Sequence, residues 1–256
     1  MTQIRLATAF LTRLPVRVPE APVAEHAGAT RYYPLVGALL AVLAVGGLFV
    51  GSWTFGNYAG CIIAVAVIFV ATGGLHFDGL ADCLDGMAVN GNAAKRLSVM
   101  HDSRAGAVGA VGVALWVMLK VALVARCVEQ GTVAQALWCA MVFARAPLAF
   151  ELREGEPATP GKGLFAWLHP EVKREDWIIS LLFGLAFLVP AVAPLGDIAV
   201  RCGLGVVLAL SLTLAWHLGW YRRVGGLTGD VLGAAVEIRE VAMLAAMATA
   251  LPAWPW

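Results

Sequence analysis

Apolar residues run along this chain in blocks much longer than the stripe of an ordinary amphipathic helix. Seven blocks, at 34–55, 58–74, 105–128, 132–150, 177–194, 198–221 and 231–250, reach or approach the length of about 20 residues that an α-helix needs to cross a hydrocarbon core. Inside a bilayer the backbone must satisfy itself, and continuous runs without period-two alternation select the helix over the barrel strand. The pattern therefore predicts an all-α fold, a polytopic integral membrane helix bundle with about seven transmembrane helices. The beginning of the chain reads differently. Ile4, Ala7, Phe10, Leu11 and Leu14 recur at helical spacing with Arg5 and Arg13 off that face, and Pro15, Pro19 and Pro22 follow. Residues 1–30 are expected to form an interfacial segment, with a short helix lying in the membrane surface.

Composition sharpens this picture. The 256 residues are 60% hydrophobic and 14% charged, with a mean hydropathy of +0.79, so a single membrane-embedded domain fills the chain and no soluble domain fits beside it. A net charge of +1 excludes binding to nucleic acid by bulk electrostatics and leaves anion recognition to local clusters. Of the five cysteines, Cys61, Cys127, Cys139 and Cys202 fall in or beside apolar runs, as small core residues do. The N-terminus lacks the pattern of a signal peptide, so insertion is expected to rely on the internal helices.

Basic residues give the orientation. With the N-terminus inside, thirteen of the 18 Lys and Arg residues fall in inner segments and only Arg126 and Arg201 outside, while Lys120, Arg145 and Arg239 lie within helices. Cytoplasmic loops retain basic residues, so the N-terminus and the loops at about 75–104, 151–176 and 222–230 are expected on the cytoplasmic face.

The first of these loops carries the most chemistry. In Gly74-Leu75-His76-Phe77-Asp78-Gly79-Leu80-Ala81-Asp82-Cys83-Leu84-Asp85-Gly86, the three aspartates stand at i, i+4 and i+7, which on a helix aligns their carboxylates along one stripe. Like charges so placed repel unless a proton or a cation joins them. Hard oxygen donors suit Mg²⁺, with Mn²⁺ as a substitute, and such ions take one or two carboxylates together with substrate phosphates. Asp78, Asp82 and Asp85 are thus candidate metal ligands, with a solvated acidic loop as the plainer alternative. Gly79 and Gly86 cost helix stability, about 1 kcal/mol each, which implies a close approach at both positions.

Two further segments belong with the first. Met100-His101-Asp102-Ser103-Arg104-Ala105-Gly106 opens the third apolar run: Arg104 suits a phosphate clamp, Asp102 a further metal oxygen, Ser103 a helix cap, and His101 either a base or an idle interfacial residue. Gly106, Gly109 and Gly112 recur every third residue, so that helix is expected to pack backbone-close against a neighbour. Gly225-Gly226-Leu227-Thr228-Gly229-Asp230 enters the last run. Asp230, at the cytoplasmic end, is a candidate for metal or catalytic chemistry and shares one face with Glu237, whereas Arg239 and Glu240 read as structural glue, neutralising one another or pairing with Lys120. Arg145, Arg153 and Lys162 add positive charge that suits phosphate or only sets topology.

Taken in order, Phe10-Leu11-Thr12-Arg13-Leu14-Pro15, Tyr33-Pro34-Leu35-Val36-Gly37, and the segments 74–86, 101–106 and 226–234 resemble those of the cobalamin synthase family, the adenosylcobinamide-GDP ribazoletransferases. The resemblance runs nearly the whole length. It implies a Mg²⁺-dependent transfer at the cytoplasmic membrane face, the last assembly step of cobalamin synthesis, in which a hydroxyl of α-ribazole or its 5′-phosphate attacks the cobinamide-side phosphate of adenosylcobinamide-GDP and GMP leaves. It further implies Asp78, Asp82, Asp85 and Asp230 as metal ligands, Asp82, Asp102, Asp230 and His101 as the catalytic set, and Arg104, Arg145 and Lys162 at the substrate phosphates. Membrane lipid is the expected surround, and a homo-oligomer is compatible with the sequence. A CDP-alcohol phosphatidyltransferase shares the Asp82-Cys83-Leu84-Asp85-Gly86 run but not the acidic pair that should follow. An ion-coupled transporter working through Glu237, Arg239 and Glu240 would call for inverted repeats, and none stands out.

Overall fold

The computed structural model describes residues 2–18, 20–102, 104, 106–192 and 196–249. Ser103, and with it the expected cap, lies outside them, as do the run ends at Ala105, Pro194 and Ala250. Among the described residues the chain is helical, and its only β-feature is an isolated bridge between Pro157 and Leu227. Helices α1 (Thr2–Leu11) and α2 (Val23–Ala29) precede α3 (Tyr33–Phe55) and α4 (Asn57–Thr72). The acidic segment forms α5 (Leu75–Ala88), followed by α6 (Ala93–Met100), α7 (Ala107–Glu129), α8 (Val133–Arg145) and α9 (Leu148–Glu154). After the short α10 (Gly163–Leu168) come α11 (Arg174–Val192), α12 (Gly196–Val224) and α13 (Gly229–Ala248).

Each of the seven apolar runs carries a helix, yet the number that meets a strict test for crossing is smaller. Four stretches, Val23–Phe55, Ala107–Glu129, Val133–Glu154 and Gly196–Val224, are long and apolar enough, and a fifth is added if α4 and α5 count as one broken span. The reasons are local. Helix α4 has 16 residues, roughly 24 Å of rise, and then turns by 90° into α5. Helix α11 opens with Arg174, Glu175 and Asp176. Helix α13 carries Glu237, Arg239 and Glu240 in its interior.

Glycine makes the α4–α5 corner possible. Gly73 and Gly74 both have left-handed backbones, with φ of 62° and 71°, and their N–H groups return to the Val70 and Phe69 carbonyls to close α4. A side chain in either place would strain the turn. The corner turns α5 by 90° from the direction of α4. The segment after α1 covers the corner, where the Arg13 N–H donates to the Ala71 carbonyl at 2.7 Å. Helix α1 forms as expected and is too short to span, but the buried side chains include Leu6, Ala7 and Leu11, with Ile4 exposed. It packs on α2 and α3, and Phe10 stacks on Tyr33 at 5.6 Å, so protein rather than lipid decides its face.

Helix α13 is the axis of the bundle, packed by α5, α7, α8 and α12 and buried along nearly its whole length. Its charges are answered within the protein. Lys120 of α7 donates to Glu237 and Glu240 at 2.6 Å each, and its ammonium also lies over the Phe77 ring. Trp116 donates to Glu237 at 3.1 Å. Arg145 of α8 stands 2.9 Å from Glu240, angled off a hydrogen bond, and Arg239 pairs with Glu151 of α9 and donates to the Ala144 carbonyl at 2.8 Å. Three cations meet three carboxylates out of water, which is how buried charge is tolerated at all. The expected pairing of Lys120 with the α13 acids is thus found, and the five cysteines are all buried and unbridged.

Removing one partner should expose the cost of the others. We expect Lys120→Met to destabilise the detergent-solubilised protein by about 3 to 5 kcal/mol, because two buried carboxylates lose their common cation. Adding Glu237→Gln should recover most of that loss, since Arg145 still answers Glu240. Denaturation midpoints of the two variants would check this, and equal losses would refute the pairing as the source.

Candidate active site

The acidic stripe forms as the spacing predicts, and what positions it is a missing side chain. A Cβ on Gly79 would stand 2.7 Å from the Asp230 carbonyl oxygen and 3.0 Å from its Cα, so α5 and the start of α13 touch backbone to backbone. This contact brings Asp230 beside Asp78 and Asp82. Thr228 caps α13, its hydroxyl accepting from the Val231 N–H at 3.3 Å, and so fixes the turn on which Asp230 stands.

Crowding shows in the chemistry of Asp82. Burial, reinforced by the carboxylates of Asp230, Asp78 and Asp85, pushes its acid up to about 7, nearly half-protonated where a free aspartate is fully charged. Asp230 is also raised, chiefly by burial and further by Asp78, with His101 acting against it. The cluster is built from hard oxygen donors, the type a divalent cation takes, but it stands open: among the described residues only His76, Glu237 and Glu240 bring such ligand atoms within 4.8 Å of one another.

A cavity of about 330 Å³ opens beside this cluster. Asp78, Asp230, His101, Thr159, Thr228 and Lys162 give it polar groups, and α1, α3, α9, α10 and α13 give it apolar walls. Lys162 reaches it through a loop-to-loop clasp. The Ala158 N–H donates to the Leu227 carbonyl and the Leu227 N–H to the Glu156 carbonyl, both at 2.8 Å, which ties the 155–162 loop to the approach of α13. Gly226 is needed there, because a Cβ would meet the Glu156 oxygen at 2.5 Å.

Other candidates lie elsewhere. Asp85 faces α7, where its two oxygens accept the Gly106 and Gly109 N–H groups at 2.8 Å each, so it caps that helix from across the interface. A Cβ on Gly106 or Gly109 would strike that carboxylate, and one on Gly112 would strike Leu84, which accounts for the three-residue glycine spacing. Asp102 and Arg104 pair with each other at 2.8 Å and line a separate, open groove with Asp85. The hydrogen bonds from Arg104 hold the Asp102 carboxyl down at about 2. Arg145 is wholly buried against Glu240 and does not line the cavity.

His76 is a cavity residue that the stripe pattern did not single out. Helical rotation puts it about 200° from Asp78, so a reading along one face passes over it. It is buried, and one ring nitrogen lies within 4.8 Å of carboxylate oxygens on Glu237 and Glu240. That trio has the donor types of a metal site, but the Lys120 ammonium already sits on both carboxylates and supplies the positive charge. The apolar walls also escaped sequence reasoning, because Leu11, Leu148 and Phe165 come from elements far apart in the chain.

Comparison with known proteins gives a consistent result. A family model described as Cobalamin-5-phosphate synthase matches residues 3–248. The chain is 34% identical over 258 residues to the adenosylcobinamide-GDP ribazoletransferase of Pseudomonas aeruginosa PAO1, covering 97% of this chain and 98% of that protein. It is 34% identical over 250 residues to the protein of that name from Ralstonia pickettii, covering 93% and 91%. The protein of that name from Caldanaerobacter subterraneus is 30% identical over 240 residues, covering 92% and 93%. No solved structure matches.

The raised acid of Asp82 has a sign that can be tested. The metal-free fold keeps a proton that the unfolded chain releases between about pH 4 and pH 7, so folding stability from this group is lost as pH rises through that window. Asp82→Asn should therefore raise the melting temperature of metal-free protein at pH 8 and change it little at pH 4. Added Mg²⁺ should stabilise the unaltered protein at pH 8, more than at pH 5, and leave the variant unmoved. Thermal scans in detergent across pH would show it, and an equal Mg²⁺ response in both proteins would contradict it.

Proposed function

The chain belongs to the cobalamin-5-phosphate synthase family, and on that premise we propose that it joins adenosylcobinamide-GDP to α-ribazole or its 5′-phosphate and releases GMP. The observation that carries this reading is the meeting of a carboxylate cluster, a lysine and a histidine at one cavity on a multi-pass helical bundle. The new bond runs from a ribose oxygen to the cobinamide-side phosphorus. The bond that breaks joins that phosphorus to the bridging oxygen, which departs with GMP.

Asp78, Asp82 and Asp230 would hold Mg²⁺, with Asp85 behind them as the acid that also anchors α7. The donor set fits in kind, since all are hard carboxylates, and Asp82 is raised first by burial and then by the charges of Asp230, Asp78 and Asp85, which a cation would offset. When bound, the ion neutralises charge on the bridging and leaving diphosphate oxygens. The protein's own part is placement and proton transfer. Lys162 sets a positive charge against the diphosphate, and His101, which lines the same cavity as Asp230, takes the proton of the attacking hydroxyl in its neutral form. Arg104, released from Asp102, extends to the guanosine side. The wall between cavity and interior keeps Arg145 in its ion pair, with a structural rather than a binding role.

The excess of basic residues on the site's side supports a cytoplasmic active face and a cytoplasmic N-terminus. Chain-terminal reporter fusions should place the N-terminus inside and the C-terminus outside. A reporter in the 155–162 loop should read inside, and an outside reading would reverse the orientation.

In liposomes supplied with adenosylcobinamide-GDP, α-ribazole 5′-phosphate and Mg²⁺, GMP should appear in step with the joined product. Asp82→Asn should cut that rate by more than about 100-fold with insertion intact. Consumption of CDP-diacylglycerol with an alcohol acceptor, and no GMP, would favour a phosphatidyltransferase instead.

A further inference from the structure

The cavity beside the carboxylates has a polar mouth and an apolar floor, and its depth can be followed down one helix. Asp230 stands in the first turn of α13, and Leu232 and Val236 line the same cavity further in. Six residues of α-helix separate Asp230 from Val236, roughly 9 Å of descent. Leu11, Leu148, Leu152 and Phe165 close the apolar part from three other elements. All four are at most 5% exposed, so the floor is rigid packed protein and not a fluctuating surface.

A pit of this kind selects for shape and polarity together. Its occupant has a compact apolar end the length of a fused bicycle and a polar end that reaches the carboxylate mouth. A volume of about 330 Å³ lies at the small end of the range for organic ligands, about 300 to 1,000 Å³, so it admits a nucleoside and excludes a corrin macrocycle. Resting on the reading given above, we infer that the apolar floor is the specificity pocket for the base of the ribazole substrate, with the ribose hydroxyl presented at Asp230 and His101. The base of α-ribazole is a benzimidazole with two methyl groups and no exocyclic donor or acceptor. Its carbons and methyl groups suit walls of Leu, Val and Phe, while Tyr33 and His76, which line the same cavity, are the buried polar side chains that border its ring. The corrinoid then rests outside, over the mouth, and only its diphosphate reaches the acids.

The test uses the full-length protein in detergent and measures two Michaelis constants separately. In the unaltered protein, the KM for the riboside should rise by about fourfold for each methyl removed from the base, from the transfer value of a buried carbon. The KM for adenosylcobinamide-GDP should stay the same across that series. Val236→Phe fills the floor and should raise the riboside KM at least about tenfold with the corrinoid KM unchanged. Leu164→Asn, at a half-exposed lining position that tolerates polarity, should raise the same constant less and covers the case in which Val236→Phe fails to fold. A riboside KM indifferent to the base, or a corrinoid KM that rises while the riboside KM does not, would overturn the assignment. If no GMP forms from any pair of substrates, the transferase reading fails. Calorimetric titration with α-ribazole alone then still decides the pocket: binding weakened by Val236→Phe supports it, and no binding rejects it.

Discussion

How closely α5 lies along α13 governs the whole acidic face. Two helix backbones approach this near only where one of them has no side chain, and Gly79 against Asp230 is that place. The packing gained there buries Asp82 and Asp230 beside one another, and burial first, with the neighbouring carboxylates second, raises both acids. Glycine in a helix costs about 1 kcal/mol, and the same substitution that would recover it would part the two helices. The same geometry recurs at Asp85, where Gly106 and Gly109 admit a carboxylate to the start of α7 and lock the far end of the stripe.

Beneath that face the bundle solves a second electrostatic problem. Helix α13 carries two acids and an arginine where water does not reach, and each finds an opposite charge on α7, α8 or α9. The network fixes the rotation of α13 about its axis, because a slip of one residue would turn Glu237 and Glu240 away from Lys120 by about 100°. Rotation of α13 in turn decides whether Asp230 faces Asp78 or lipid. A structural ion network in the interior and a reactive acid at the surface are thus two ends of one rigid helix, and mutations in the first are felt at the second.

The polar mouth and apolar floor follow from where these elements end. Helices α5 and α13 bring Asp78 and Asp230 to the mouth at their N-terminal turns, while α1, α9 and α10 close the pit with side chains chosen for the core. Chemistry at the mouth and selection at the floor can then vary independently. The proposed cation and diphosphate sit where water and ions arrive, and the proposed base sits where they do not.

Much of this was legible in the sequence, because two of its signals depend on nothing outside the helix that carries them. Long apolar runs predict helices in a membrane whatever their neighbours, and an i, i+4, i+7 spacing aligns Asp78, Asp82 and Asp85 wherever that helix lies. The pairing of Lys120 with the α13 acids was also readable, since buried charge must be answered. What the residues alone left undecided were matters of which surfaces meet. Asp85 shares the stripe yet faces α7; Asp102 and Arg104 neighbour His101 in sequence yet fall in another groove; Arg145 looks like an anion binder yet is consumed by Glu240. His76 and the apolar floor were invisible because they gather from segments up to about 225 residues apart. Periodicity is a property of one helix and is written in its sequence, whereas a cavity is the space left between helices, and its walls are set by crossing angles and contacts that no single segment encodes.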